Sequence, residues 1–283
     1  MSWTLGIDLG GTKLLLLAQH GADQATHTRS TGAGFRPQQL VTEVAAFAER
    51  IGRTPDTIGL AIPGLVQGPA VVLCDGLPEF NGWDAGTMAM DGSSLYVIND
   101  VDAALLEEAT DAGDRATMGV ILVGTGIGAA FMLDGRPARG ANGWAGELGY
   151  LPVSIGPGDV VRTLDSVASG AAIVLACGVD ASVVAKHAAR GDPDVLREIR
   201  KAGRAFGLGI AAVVNLFNPS ALVIDGGVLR LPGYQDAALA FAREHTIPPL
   251  WRACSVRGAR AGELVVALGA IRAAEAHARG TDG

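Results

Sequence analysis

Leu5–Gly21, LGIDLGGTKLLLLAQHG, and Met118–Gly135, MGVILVGTGIGAAFMLDG, are two versions of one pattern. Each is an apolar run, a turn built on glycine and threonine, a second apolar run and a closing turn, His20-Gly21 in the first and Asp134-Gly135 in the second. Apolar runs of this length between glycine turns read as paired strands. The two copies start about 110 residues apart, far more than the period of a solenoid, so they predict a duplicated domain. The polar stretch DAGDRA (111–116) predicts the boundary. A first lobe then covers 1–112 and a second covers 113–283, with the terminal helix able to pack back on the first.

Outward from these hairpins the spacing predicts a third strand at 25–30, a helix over 38–50, strands at 57–62, 70–74 and 95–98, and a helix over VDAALLEEAT from Val101. Beyond the second hairpin it predicts a loop-rich region at 135–160, helices near 165–177, 180–190 and 193–215, a strand at 221–225 and a terminal helix near 262–278. This is an α/β pattern. The chain has 283 residues, 49% hydrophobic and 18% charged, enough to bury two cores. Its net charge is −7, without a block of Lys or Arg, which argues against nucleic acid as a partner. Cys74, Cys177 and Cys254 are far apart, so neither a disulfide framework nor a cysteine-rich metal site is expected. The N-terminus shows no basic region followed by a long apolar stretch, and no apolar run is long enough for a membrane span. A soluble, cytoplasmic protein without a membrane partner is expected.

Several short stretches carry candidate chemistry. In Asp8-Leu9-Gly10-Gly11-Thr12-Lys13 the two glycines would let backbone approach a phosphate, Thr12 and Lys13 add a donor and a charge, and Asp8 could hold Mg²⁺ through water. A strand follows where a Walker loop would have a helix, and a plain hairpin turn is the competing reading. Gly124-Thr125-Gly126-Ile127-Gly128 also lacks a following helix, which disfavours a dinucleotide fold. Val223-Ile224-Asp225-Gly226-Gly227-Val228 is a strand running into a double-glycine turn. Asn99-Asp100 stands between a strand and a helix, where Asp100 serves as a helix cap, as a general base, or as both. In Asn142–Tyr150, Glu147 would accept hydrogen bonds from polyol hydroxyls, or lie on an ordinary surface loop.

Asp8–Lys13, Ile62-Pro63-Gly64, Asn99-Asp100, Gly124–Gly128, Asn142–Gly149, Leu164–Gly170 (LDSVASG) and Ile224–Val228 follow one another as in the ROK-family sugar kinases. The resemblance covers nearly the whole chain. It implies a two-lobed, actin-like (ribonuclease-H-like) α/β fold with a central interlobe cleft, and ATP-dependent, Mg²⁺-assisted phosphorylation of a hexose or N-acetylated amino-hexose. Under it Gly10, Gly11, Thr12 and Lys13 cradle phosphates with Gly124, Thr125 and Gly126, while Gly226 and Gly227 lie near adenosine. Asp100 looks like the catalytic base. Asn99 and Glu147 look like sugar ligands with Asp100, Asp165 stands where the family has a sugar-binding Glu, and Asp75 lies in a segment that reaches the sugar. A homodimer is compatible with the resemblance.

The departures are specific. Family members commonly carry a cysteine-rich zinc cluster, but LPVSIGPGDVVRT (151–163) has no cysteine, and Tyr150 stands where the zinc- and sugar-binding His would be. Zinc is therefore not expected, and glucose is in doubt as the acceptor. The alternative reading is a non-catalytic sugar sensor, since ROK relatives include sugar-responsive repressors. Those add an N-terminal DNA-binding domain, and with a phosphate loop at residue 8 a repressor is not the expectation. A mechanical actin-like ATPase would keep the phosphate turns without needing Asn99, Asp100 and Glu147.

Overall fold

A computed structural model gives the structure of the protein over residues 3–155 and 157–280, the side chains of 155 and 157 excepted. The chain runs β1 (Thr4–Leu9), β2 (Lys13–His20), β3 (Asp23–Ser30), α1 (Pro37–Ile51), β4 (Thr57–Ile62), β5 (Leu65–Gln67), β6 (Ala70–Leu73), β7 (Ser94–Asn99) and α2 (Asp100–Glu108). It continues through β8 (Met118–Val123), β9 (Ile127–Leu133), β10 (Arg136–Pro137), β11 (Pro152–Ile155) and β12 (Val161–Thr163). Then come α3 (Leu164–Ala168), α4 (Gly170–Cys177), α5 (Ala181–Ala189), α6 (Pro193–Phe217) and β13 (Ala221–Asp225). The end is α7 (Tyr234–His245), α8 (Pro248–Ala253), β14 (Ser255–Arg257) and α9 (Val265–Ala278). Two compact units result: Met1–Asp111 with Arg139–Ala145 and Arg260–Gly283, and Ala112–Ala138 with Gly146–Ala259.

The first unit is built on a sheet of order β3-β2-β1-β4-β7. β1, β2 and β3 are antiparallel, and β4 and β7 run parallel to β1. Every residue of β4, TIGLAI, is buried, as expected of a parallel strand covered on both faces. One face carries α1, whose Leu40, Val44, Phe47 and Ala48 recur at helical spacing. Pro37 opens that helix, and Gly52, left-handed at φ 76°, closes it. The other face carries α9, whose Ala267 and Ile271 pack on Leu15 and Leu17. This contact has no room for a side chain at three points. A methyl group on Gly6 would lie 2.2 Å from the Ala267 carbonyl oxygen, on Gly59 2.0 Å from that of Ala270, and on Gly269 1.8 Å from that of Ala103 in α2. The chain re-enters this unit at Arg260, whose backbone N–H donates to Oε1 of the buried Glu108 at 2.7 Å.

The second unit repeats the strand order and directions of the first. Its sheet is β10-β9-β8-β13-β14, antiparallel through β10, β9 and β8, then parallel through β13 and β14. α6 spans 25 residues, capped by Asp192 and opened by Pro193, and buries an unbroken stripe from Val195 to Val214. Among the elements here, α7, α8 and β14 were not predicted, nor were the short strands β10, β11 and β12, in and just after the stretch expected to be loop. α7 buries only Tyr234, Ala238 and Ala242, a stripe of mostly small residues with little hydrophobic signal. It lies so close to α6 that a methyl group on Gly203 would meet the Tyr234 carbonyl oxygen at 2.3 Å. The helix predicted over 165–177 is two, α3 and α4, separated at Ser169, whose extended backbone (ψ 169°) stops one helix while its hydroxyl caps the next. Among the described residues no single helix is long and apolar enough to cross a membrane.

Candidate active site

In the first unit the predicted residues collect at the carboxyl ends of the parallel strands, the edge where open α/β sheets bind ligands. Asp8 is next to last in β1, Gly64 follows β4, and Asn99 ends β7. The turn between β1 and β2 is closed by the Gly10 N–H, which donates to the Lys13 carbonyl at 2.9 Å. Thr31, a residue with no distinguishing mark in the sequence, braces this turn. Its hydroxyl donates to the Gly10 carbonyl at 2.7 Å, and its N–H donates to the Thr12 carbonyl at 3.0 Å. The carbonyls of Gly10, Thr12 and Lys13 are thereby occupied, while among the described residues no protein acceptor takes the N–H of Gly11 or Thr12. The Lys13 ammonium pairs with the Glu263 carboxylate at 3.0 Å.

The Asn99-Asp100 pair stands at the start of α2. Asn99 is the helix cap: Oδ1 accepts from the N–H groups of Val101 at 2.8 Å and Asp102 at 3.2 Å. Its extended backbone (φ −64°, ψ 144°) lets the side chain fold back over the first turn, whereas Asp100 is already the first helical residue. The amide nitrogen of Asn99 donates to the Gly64 carbonyl at 3.0 Å, leaving one amide hydrogen. The Asp100 Oδ1 accepts from the Val101 N–H at 2.9 Å. Burial and the negative charge of Asp100 push the Asp8 carboxyl up to about 7, opposed by Lys13. Asp75 is exposed. Burial pushes the neighbouring Cys74 thiol up to about 12, with Asp100 and Asp75 both adding to the rise, so these two carboxylates lie within electrostatic reach of one group.

The second unit holds the other predicted residues in two groups. The turn between β8 and β9 is closed by the Gly124 N–H donating to the Gly126 carbonyl at 2.9 Å. The first amides of α4 cap it from outside: Gly170 N–H donates to the Gly124 carbonyl at 2.8 Å and Ala171 N–H to that of Thr125 at 3.2 Å. Here too no protein acceptor among the described residues takes the N–H of Thr125 or Gly126. Gly226 follows the neighbouring strand β13 with φ 123°, and a methyl group there would lie 2.2 Å from the Val123 carbonyl oxygen. Gly227 beside it is exposed. The predicted adenosine and phosphate turns therefore adjoin.

The remaining group is the Gly146–Leu151 segment with Asp165. The Gly146 carbonyl accepts from the Ala129 N–H at 2.9 Å, which docks the segment on β9 and leaves Glu147 exposed. Tyr150 is 56% exposed. Asp165, in the first turn of α3, points its carboxylate at the β8–β9 turn: Oδ1 accepts from the Ile127 N–H at 2.7 Å. The break at Ser169 and the bracing by Thr31 were missed from the sequence. The Ser-Gly pair 169–170 carried a usable signal, a cap residue inside an apolar run, but Thr31 carried none. Among the described residues no group of three or more His, Cys, Asp or Glu is arranged to hold a metal.

Comparison with known proteins gives one answer. The sequence model of the ROK family matches residues 4–277. The kanosamine kinase of Amycolatopsis mediterranei is 29% identical over 242 residues, covering 79% of this chain and 80% of that protein. The N-acetylmannosamine kinase of Citrobacter koseri is 30% identical over 249 residues, covering 82% and 85%. In structure, the ROK family glucokinase of Streptomyces griseus, solved with glucose and AMPPNP, superposes with a TM-score of 0.80 over 96% of this chain and 99% of that one. At 22% identity that likeness establishes the fold.

Proposed function

The chain belongs to the ROK family, and from that premise we propose that it is a carbohydrate kinase that transfers the γ-phosphate of ATP to a hydroxyl of a hexose or amino-hexose. The observation that carries this reading is the placement of Asp8 and Asp100 within electrostatic reach of one another, beside a glycine turn whose amides have no protein acceptor.

Asp100 acts as general base, taking the proton from the acceptor hydroxyl as its oxygen attacks phosphorus in line. Because Asn99 caps α2, the Asp100 carboxylate is not needed as the cap. The remaining amide hydrogen of Asn99 orients the acceptor, together with Asp75. In the first unit the N–H groups of Gly11 and Thr12, and in the second unit those of Thr125 and Gly126, are donors suited to phosphate oxygens, and glycine keeps side chains out of their way. Gly226 and Gly227 flank the adenosine. Mg²⁺ fits the donor set, because a hard cation takes carboxylate, phosphate and water oxygens and would offset the burial and the Asp100 charge that raise Asp8. Bound there through Asp8, it would supply charge neutralisation on the phosphates.

A coupled ADP-release screen over hexoses, N-acetylated and free amino-hexoses and ketoses tests the reading. ADP release that depends on one acceptor supports it. Binding of a sugar without any acceptor-dependent ADP release would instead establish the non-catalytic sensor.

A further inference from the structure

We propose that Asp165 is a positioning residue for the nucleotide-binding turn, and not a ligand of the sugar. The inference rests on the kinase reading only for the identity of the two ligands; the geometry stands within the second unit alone.

The Asp165 Oδ1 accepts from the Ile127 N–H at 2.7 Å, the first backbone donor after the Gly124–Gly126 turn. A carboxylate accepting from a backbone N–H is among the stronger hydrogen bonds a protein makes. The surrounding backbone is shaped around this carboxylate. A methyl group on Gly126 would lie 3.3 Å from Oδ2. On Gly149 it would lie 2.6 Å from Oδ1 and 2.5 Å from the Ile127 carbonyl oxygen. The carboxylate thus lies between the nucleotide turn and the backbone of Gly149, with little slack on either side.

The element that carries Asp165 is itself held. The buried Tyr234 hydroxyl donates to the Ala168 carbonyl at 2.7 Å, at the end of α3. Burial, with the nearby Asp165 charge, holds that phenol well above its ordinary pKa, so it remains a donor. Two residues on, Gly170 and Ala171 donate to the carbonyls of Gly124 and Thr125. Asp165 from one side and the start of α4 from the other therefore hold the β8–β9 turn, so that its unaccepted amides keep a common direction. A side chain one methylene longer would have to push against Ile127 or Gly149 to keep the same bond, so the short Asp suits this role.

Three variants and two ligands separate the roles. Equilibrium titrations with AMPPNP and with the acceptor identified by the ADP screen are read for wild type, Asp165→Asn, Asp165→Ala and Asp165→Glu. Asp165→Asn keeps an acceptor oxygen for Ile127, so both affinities should stay within about threefold of wild type. Asp165→Ala deletes a charged hydrogen bond and should weaken AMPPNP by about tenfold or more, with sugar affinity within about twofold. Asp165→Glu should also weaken AMPPNP. Loss of sugar affinity in Asp165→Asn with AMPPNP unchanged would overturn the proposal, as would equal loss of both ligands, or no loss of AMPPNP, in Asp165→Ala. If Asp165→Ala does not fold, Asp165→Asn decides alone, since a sugar ligand and a turn brace differ in what that variant loses. The AMPPNP arm needs no acceptor, so after an ADP screen that fails, unchanged AMPPNP affinity in Asp165→Ala still overturns the proposal.

Discussion

At the scale of single residues, the division of labour between Asn99 and Asp100 makes the two separable by mutation. Asp100→Asn should lower kcat by about 10²–10⁴-fold, the usual loss for a general base. It should leave the melting temperature close to wild type, because the cap on α2 is Asn99. Asn99→Ala should do the reverse in stability, costing about 1 kcal/mol or more through the lost cap and the freed Gly64 carbonyl. A kinetic and thermal comparison of the two variants checks both expectations together. Asp8 makes an opposite trade. Its folded pKa, about 7, lies above the ordinary carboxylate value of 3.8, so between these values the folded chain holds a proton that the unfolded chain has lost. The Asp8 contribution to stability is therefore greatest below about pH 4 and declines as pH rises through 7. Asp8→Asn removes that decline. Measured in chelator, its melting temperature should exceed wild type at pH 8 by more than at pH 5, and its kinase activity should fall. A gap that shrinks as pH rises would show that Asp8 is not held protonated by the fold.

At the scale of elements, close backbone contact explains how one helix serves as the cover of a whole sheet face. α9 reaches β1, β4 and α2 at Gly6, Gly59 and Gly269, where a carbonyl oxygen occupies the space of a methyl group. Gly269→Ala should force α9 and α2 apart and lower stability by about 1–3 kcal/mol, although alanine is the better helix former by about 1 kcal/mol. Thermal unfolding read by a probe in the first unit is the measurement, and a variant more stable than wild type would contradict this packing. The break between α3 and α4 works in the same way. Gly170 admits the Gly124 carbonyl where a methyl group would lie 2.7 Å away, and this close approach is what caps the β8–β9 turn.

At the scale of the whole molecule, the two units differ in how they depend on the order of the chain. The second unit is nearly continuous, from Ala112 to Ala259 apart from Arg139–Ala145, while the first needs residues 260 onward to complete its packing. A chain ending at residue 259 would lack α9 and leave Leu15 and Leu17 without the helix that covers them. Limited proteolysis of that truncated chain should degrade residues 1–111 rapidly and leave a resistant fragment beginning near residue 112. Equal resistance of both portions would mean that the first unit folds without its last helix.

What the sequence determined by itself was whatever is written in local periodicity and turn chemistry. Two glycine turns between apolar runs disclosed both hairpins, while the order of the strands in each sheet came from the structure. The strand-to-helix junction at 99–100 and the double glycine at 226–227 were equally legible, since each needs only a few neighbouring residues to be recognised. The tertiary structure decided the rest, because it depends on which backbone groups meet across long stretches of chain. Nothing near Thr31 says that its hydroxyl will close the Gly10 turn, and nothing near Asp165 says that its carboxylate will point at Ile127. α7 escaped notice because its buried stripe is mostly alanine, and its partners on α6 are glycines whose lack of a side chain is what permits the contact. Close packing of this kind leaves no hydrophobic pattern to read, since what it requires of a residue is the absence of atoms.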